Sequence, residues 1–191
     1  PLETRGLTEA DARALADPAH ARAFAWLEAR GAPVLLHVNS FRFEAELGEL
    51  LRAHPELELV CPHLCGSRTD LDRLERILAA HPRLLVDTSH GPGRPGIEGF
   101  LNIEQQGGRL RAMIEAEPER FLFGSDLVTT GAPGRLEAAR LEWDRQLDAN
   151  LGLLEQARFE FLRPGARERA LEWGEYRGLA LEGEALAAVL A

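Results

Sequence analysis

The apolar positions of this chain fall into short dense runs, separated by longer stretches in which they recur with helical spacing. The densest run lies in 56–66, ELELVCPHLCG. A Pro precedes it and a Gly closes it, so it reads as a buried strand running into a loop. Side chains alternate along a strand, which places Cys61, His63 and Cys65 on one face and Val60 and Leu64 on the other. Runs of the same kind occupy 33–39 (PVLLHVN), 83–89 (RLLVDTS) and 120–125 (RFLFGS). They are apolar enough for parallel strands buried on both faces. Prolines 33, 82 and 118 recur just before the strands.

Helical patterns fill the gaps. Asp17 is the expected N-cap and Pro18 the first position of a helix that buries Phe24 and Leu27 and stops at Gly31. Spacing at Phe43, Leu47, Leu50 and Leu51 predicts a helix over 43–52. Leu71, Leu74, Ile77 and Leu78 predict another over 69–80, with Thr69 or Asp70 as cap. The glycines and prolines of 90–96, HGPGRPG, predict a loop, followed by a helix around 107–116. Thr8 followed by Asp11 resembles a further helix start. Beyond Asp126 the reading is helical: 135–158, 166–173 and 183–190. The chain is thus expected to be one α/β domain over 1–191, with four strand-then-helix units in 17–130 and a helical C-terminal segment in 131–191.

Composition narrows the classes. At 191 residues and 45% hydrophobic, the chain can bury a substantial core. Its net charge of -9 and the lack of a basic tract argue against nucleic acid as a partner. No apolar run is long enough to span a bilayer and the amino end has no basic-then-apolar leader, so the expectation is a soluble, cytoplasmic protein. The two cysteines, 61 and 65, are too far apart on one strand face for a disulfide, which agrees with a reducing compartment.

Chemistry gathers where the strands end. His37, His63 and Asp126 close three of the four strands, and Asp87 and Ser89 close the other. Parallel strands in sequence order set these ends side by side, so His37, His63 and Asp126 are expected to converge. Two imidazoles and a carboxylate form a zinc ligand set, and an open position would let the metal acidify water. Taken singly, each residue is as well explained as a capping group at a strand end. Arg42, Arg68 and Arg94 follow strand ends and could meet an anionic substrate, although a loop Arg usually faces solvent.

The succession PVLLH, HPELELVCPHLCG, HPRLLVDTS and PERFLFGSD resembles the second half of an amidohydrolase-superfamily barrel. It is similar in particular to the branch that includes aminocarboxymuconate-semialdehyde decarboxylase and its hydrolytic relatives. The resemblance covers residues 18 to about 130. It implies a TIM-barrel (β/α)8 fold of the metal-dependent hydrolase type, represented here by strands five to eight. By position, His37 would be a metal ligand, His63 a second ligand or the catalytic His, and Asp126 a ligand that exchanges a proton with the attacking water. The cofactor implied is a divalent metal, zinc or else manganese. The reaction implied is hydrolysis of an amide, lactone or ester in a small-molecule substrate. Non-oxidative decarboxylation is the alternative, and a catalytically incomplete or binding remnant a third. The family's His-x-His pair of the first strand is absent here, and Cys65 stands where the family has Gly. Half a barrel leaves open strand edges and an exposed apolar interior, so a missing N-terminal half or a second copy in a homo-oligomer is expected to cover them.

Overall fold

Each apolar run does become a strand in the computed structural model, which describes residue 15 and residues 17–91, 93–127, 136–165 and 170–191. The strands β1 (Val34–Leu35), β2 (Leu59–Cys61), β3 (Leu85–Asp87) and β4 (Phe121–Leu122) form one parallel sheet in the order β1-β2-β3-β4. Register follows from the alternation. Cys61, Val86 and Phe121 are paired across the sheet and share one face, where all three are buried. Leu35, Val60 and Leu85 are paired on the opposite face, where Leu35 is 70% exposed. A mixed α/β chain with sequential parallel strands fits a TIM-barrel-type fold.

The helices lie where their stripes require. They are α1 (Pro18–Glu28), α2 (Ser40–Ala53), α3 (Leu71–Ala80), α4 (Arg94–Ala116), α5 (Leu136–Glu155) and α6 (Gly183–Leu190). Leu47, Leu50 and Leu51 of α2 and Leu71, Leu74, Ile77 and Leu78 of α3 enter the core. Asp70 caps α3, its carboxylate accepting the Arg73 amide at 3.0 Å. Arg120, buried in the 3-10 turn Pro118–Arg120, donates to the carbonyls of Leu78, His81 and Leu84. Arg120 thereby supplements the single weak bond, 3.3 Å from the His81 amide, that the Leu78 carbonyl receives at the end of α3.

Four expectations are corrected. The strand expected over 56–66 stops at Cys61, and Pro62–Gly66 forms a tight turn in which His63, Leu64 and Cys65 take left-handed backbone angles, φ 61°, 52° and 53°. Cys61 and Cys65 therefore do not lie along one extended face. Their Cα atoms are 4.7 Å apart and a disulfide joins them. Alternation cannot anticipate a turn that needs positive φ at three non-glycine residues. Second, the glycines and prolines of 90–96 do not exclude a helix: α4 begins at Arg94, with Pro95 in the first turn, where a missing amide costs nothing. Third, 166–173 is not helical in its described part. Arg158–Pro164 and Leu171–Arg177 are strands, β5 and β6, paired antiparallel. Phe159, Phe161 and Tyr176 alternate inward there, a period of two that the charged and Leu-rich surroundings masked. Fourth, the C-terminal segment is accordingly a helix, a hairpin and a helix. The helix start at Thr8 lies outside the described residues.

The hairpin is no appendage. Phe100 of α4 meets Phe159, Phe161 and Tyr176 edge-on or tilted at 5.2, 5.5 and 5.6 Å, and stacks on His90 at 4.4 Å. The aromatic cluster joins the C-terminal region to the loop that leaves β3.

Candidate active site at the strand ends

The site is built from the segments that follow the carboxyl ends of β1 to β4. His37, His63 and Asp126 line one cavity of about 340 Å³, together with Asn39, Arg68, Gly91 and Gly93. The rings of His37 and His63 meet edge to face at 5.0 Å. His63 Nε2 lies 3.8 Å from Asp126 Oδ1. A larger groove of about 540 Å³ between α5 and the hairpin contains none of these residues.

His63 is aimed by the end of β3. Asp87 Oδ1 accepts three bonds: from the His63 amide at 2.8 Å, the Ser89 amide at 3.0 Å and the Ser89 hydroxyl at 2.6 Å. With its hydrogen given to Asp87, Ser89 Oγ accepts from His63 Nδ1 at 2.8 Å, and the Ser89 carbonyl is a second acceptor for the same nitrogen at 3.3 Å. Both acceptors assign the proton to Nδ1, which turns the Nε2 lone pair toward the cavity and Asp126. Burial lowers the His63 pKa, the Arg68 charge lowers it further, and Asp126 and Asp87 oppose both. The imidazole is therefore neutral at neutral pH, and the approach to Asp126 is that of a base beside a carboxylate, with no ion pair.

The left-handed turn that presents His63 is costly, about 1–2 kcal/mol for each non-glycine residue so held. It is fixed from several sides. Asp87 takes the His63 amide, the Cys61–Cys65 bond closes the turn, and Leu64 and Cys65 are fully buried. At its far end the buried Arg73 donates to Ser67 Oγ at 3.1 Å and to the Gly66 carbonyl at 3.4 Å.

Two glycines let the carboxylates approach so closely. A Cβ at Gly124 would lie 2.7 Å from Asp87 Cγ, and one at Gly91 would lie 2.3 Å from Asp126 Oδ2. Asp126 itself is left-handed, with φ 50°. Its carbonyl accepts from Gln146 Nε2 at 2.7 Å, and Ser125's carbonyl accepts from the same nitrogen at 2.8 Å.

The three expected residues are thus brought to one cavity, and of the three loop arginines Arg68 joins them there. Asp87 and Ser89, first noted only as polar strand ends, turn out to hold His63 in place. Gln146 and Asn150 were missed, because an amide inside a long charged helix looks like surface until the segment it faces is known. Among the described residues, no group of three or more His, Cys, Asp or Glu side chains stands arranged to hold a metal ion. The residue types lining the cavity nonetheless fit a divalent ion: two imidazoles and a carboxylate, with His63 held through Nδ1 by a hydrogen-bonded relay to a carboxylate, as metal-binding imidazoles are.

Two solved structures are similar to the chain. One is an amidohydrolase from Burkholderia multivorans with bound zinc, 22% identical, with a TM-score of 0.47, covering 78% of this chain and 55% of that one. The other is amidohydrolase 2 from Bifidobacterium longum subsp. infantis, 15% identical, with a TM-score of 0.39, covering 74% and 52%. The chain therefore spans little more than half the length of either. No curated protein matches it. No helix among the described residues is long and apolar enough to cross a membrane. The amidohydrolase family model matches residues 5–172, most of the chain, and the protein therefore belongs to the amidohydrolase family.

Proposed function

We propose that this chain carries the metal-and-water side of a hydrolase active site, acting on an amide, lactone or ester carbonyl of a small molecule. The observation that carries the reading is the shared cavity of His37, His63 and Asp126, with the His63 lone pair directed into it. His37, His63 and Asp126 would hold a divalent ion, zinc or manganese, which when bound supplies acidity to a water and polarises a carbonyl. Asp126 would take the proton of the attacking water and return it to the leaving group. His63, fixed by Ser89 and Asp87, steadies charge that develops on the substrate oxygen or serves as the second ligand. Arg68 in the same cavity favours one second reading, non-oxidative decarboxylation, in which a guanidinium would hold the substrate carboxylate.

The sheet face that bears Leu35 would be covered in the working protein. Leu35 is largely exposed beside Val60 and Leu85, and β1 is an edge of the sheet among the described residues. Further βα units of a longer protein, or a second copy, would close it.

The test is elemental analysis of the purified chain and of a His37→Ala, Asp126→Ala double variant, with native mass and a panel of lactones, esters, amides and carboxylic acids. Near-stoichiometric zinc or manganese that the double variant loses, with hydrolysis of one panel class, is expected. Carbon dioxide release without hydrolysis would select the decarboxylase. Equal metal content in both proteins would overturn the ligand assignment.

A further inference from the structure

We propose that Gln146 and Asn150, one turn apart on α5, are positioning residues that set the orientation and spacing of Asp126 in the cavity. The inference rests on the reading of Asp126 as part of a metal-and-water site. β4 ends at Leu122, and the chain from there to Asp126 has neither helix nor strand to hold it. Its carbonyls at Ser125 and Asp126 face α5. Gln146 donates one nitrogen to both, and Asn150 Nδ2 approaches the Ser125 carbonyl at 3.3 Å. Both amides are buried, Gln146 at 3% and Asn150 at 1% exposure.

Asn150 holds the other side of the carboxylate as well. Its Oδ1 accepts from the His90 amide at 2.7 Å, and its Nδ2 donates to the His90 carbonyl at 3.0 Å. The next residue, Gly91, is the one whose backbone lies against Asp126 Oδ2. A single side chain therefore ties together the two segments that bracket Asp126, the one that bears it and the one it touches. The left-handed backbone at Asp126, φ 50°, is less favourable than negative φ even for an Asp, and the tie offsets that cost. Relaxation to negative φ would swing the carboxylate away from His63.

The experiment titrates cobalt(II) into the full chain and into Gln146→Met, Asn150→Asp and Asp126→Ala variants, reading affinity and the visible d–d band. All measurements are made where circular dichroism shows each protein fully folded. Gln146→Met loses the donor at nearly constant shape, and Asn150→Asp keeps the acceptor for His90 while losing the amide nitrogen that donates to the carbonyls of His90, Ser125 and Gln146. Each is expected to weaken cobalt binding about tenfold, as changes to residues that orient metal ligands do, and to change the band. Asp126→Ala is expected to abolish binding. Parent-like affinity and spectrum in both amide variants, with Asp126→Ala still losing metal, would overturn the positioning role and leave the site reading intact. Parent-like binding by Asp126→Ala would overturn the site reading and the inference with it. Should Gln146→Met not fold, Gln146→Leu, which also lacks any donor, takes its place with the same expected result.

Discussion

Asp87 is the residue on which the geometry of His63 depends most directly, and Asp87→Ala measures that dependence. Its Oδ1 accepts from the His63 amide, the Ser89 amide and the Ser89 hydroxyl, at 2.8, 3.0 and 2.6 Å. A hydrogen bond to a charged group contributes about 1.5–3 kcal/mol. The three share one oxygen and do not add in full, and Asp87 is only half-buried. The expected loss is therefore about 3 kcal/mol, the upper end of the range for one such bond and less than the sum of three. With a urea m-value of about 2 kcal/mol/M, the unfolding midpoint should fall by roughly 1.5 M. Asp87→Asn keeps an acceptor oxygen without the charge, and a charge-assisted bond is roughly twice as strong as a neutral one. It should show about half the shift. Asp72→Ala, at an exposed carboxylate on α3, is the control and should move the midpoint little. Urea unfolding followed by circular dichroism makes the comparison. An Asp87→Ala midpoint no lower than that of Asp72→Ala would refute the argument that this carboxylate anchors the left-handed turn.

Three further outcomes are expected. Thiol alkylation followed by mass spectrometry should add nothing to the unfolded, unreduced protein and two labels after reduction. Cys65→Ser should cost about 2 kcal/mol, as expected for closing so short a loop, and two labels without reduction would remove the bond from the account of the turn. His90 supplies a pH dependence. It is fully buried, burial first and the Arg68 charge second lower its pKa to about 3, and its Nδ1 donates to the Thr88 carbonyl at 2.9 Å. The unfolded chain takes up the proton near pH 6.5 and the folded chain only near 3, so this contribution is complete above about pH 6.5 and is lost as pH falls toward 3, at up to about 1.4 kcal/mol per pH unit. Urea midpoints between pH 7.5 and 4.5 should decline accordingly, and His90→Asn should flatten the decline. An unchanged slope in that variant would assign the proton uptake to other groups.

What was legible in the sequence was whatever depends on a repeating pattern. The four strands, α3 with its Asp70 cap, and the placing of His37, His63 and Asp126 at strand ends all follow from apolar periodicity and from the direction of parallel strands. The sequence hid the features that depend on single backbone angles or on distant partners. Nothing in PHLCG announces three consecutive left-handed residues, because that conformation is imposed by Asp87 and by the burial of Leu64 and Cys65, which come from elsewhere in the fold. The disulfide was obscured for the same reason. The β5–β6 hairpin could have been seen in the alternation of RFEF and of WGEY, had the charged composition not pointed to a helix.

The partners of the site lie far apart along the chain, and this orders its assembly in time. The walls that carry His37 and His63 come from the first ninety residues, and Asp126 is made well before the helix that holds its carbonyls. Gln146 is 20 residues beyond Asp126, and Asn150 is 60 beyond His90. During synthesis the segments that carry β1 to β3 emerge before α5 does, while Asp126 still lacks the contacts that keep its backbone left-handed. Completion of the cavity is then a late event, reached only when α5 docks and the hairpin closes over Phe100.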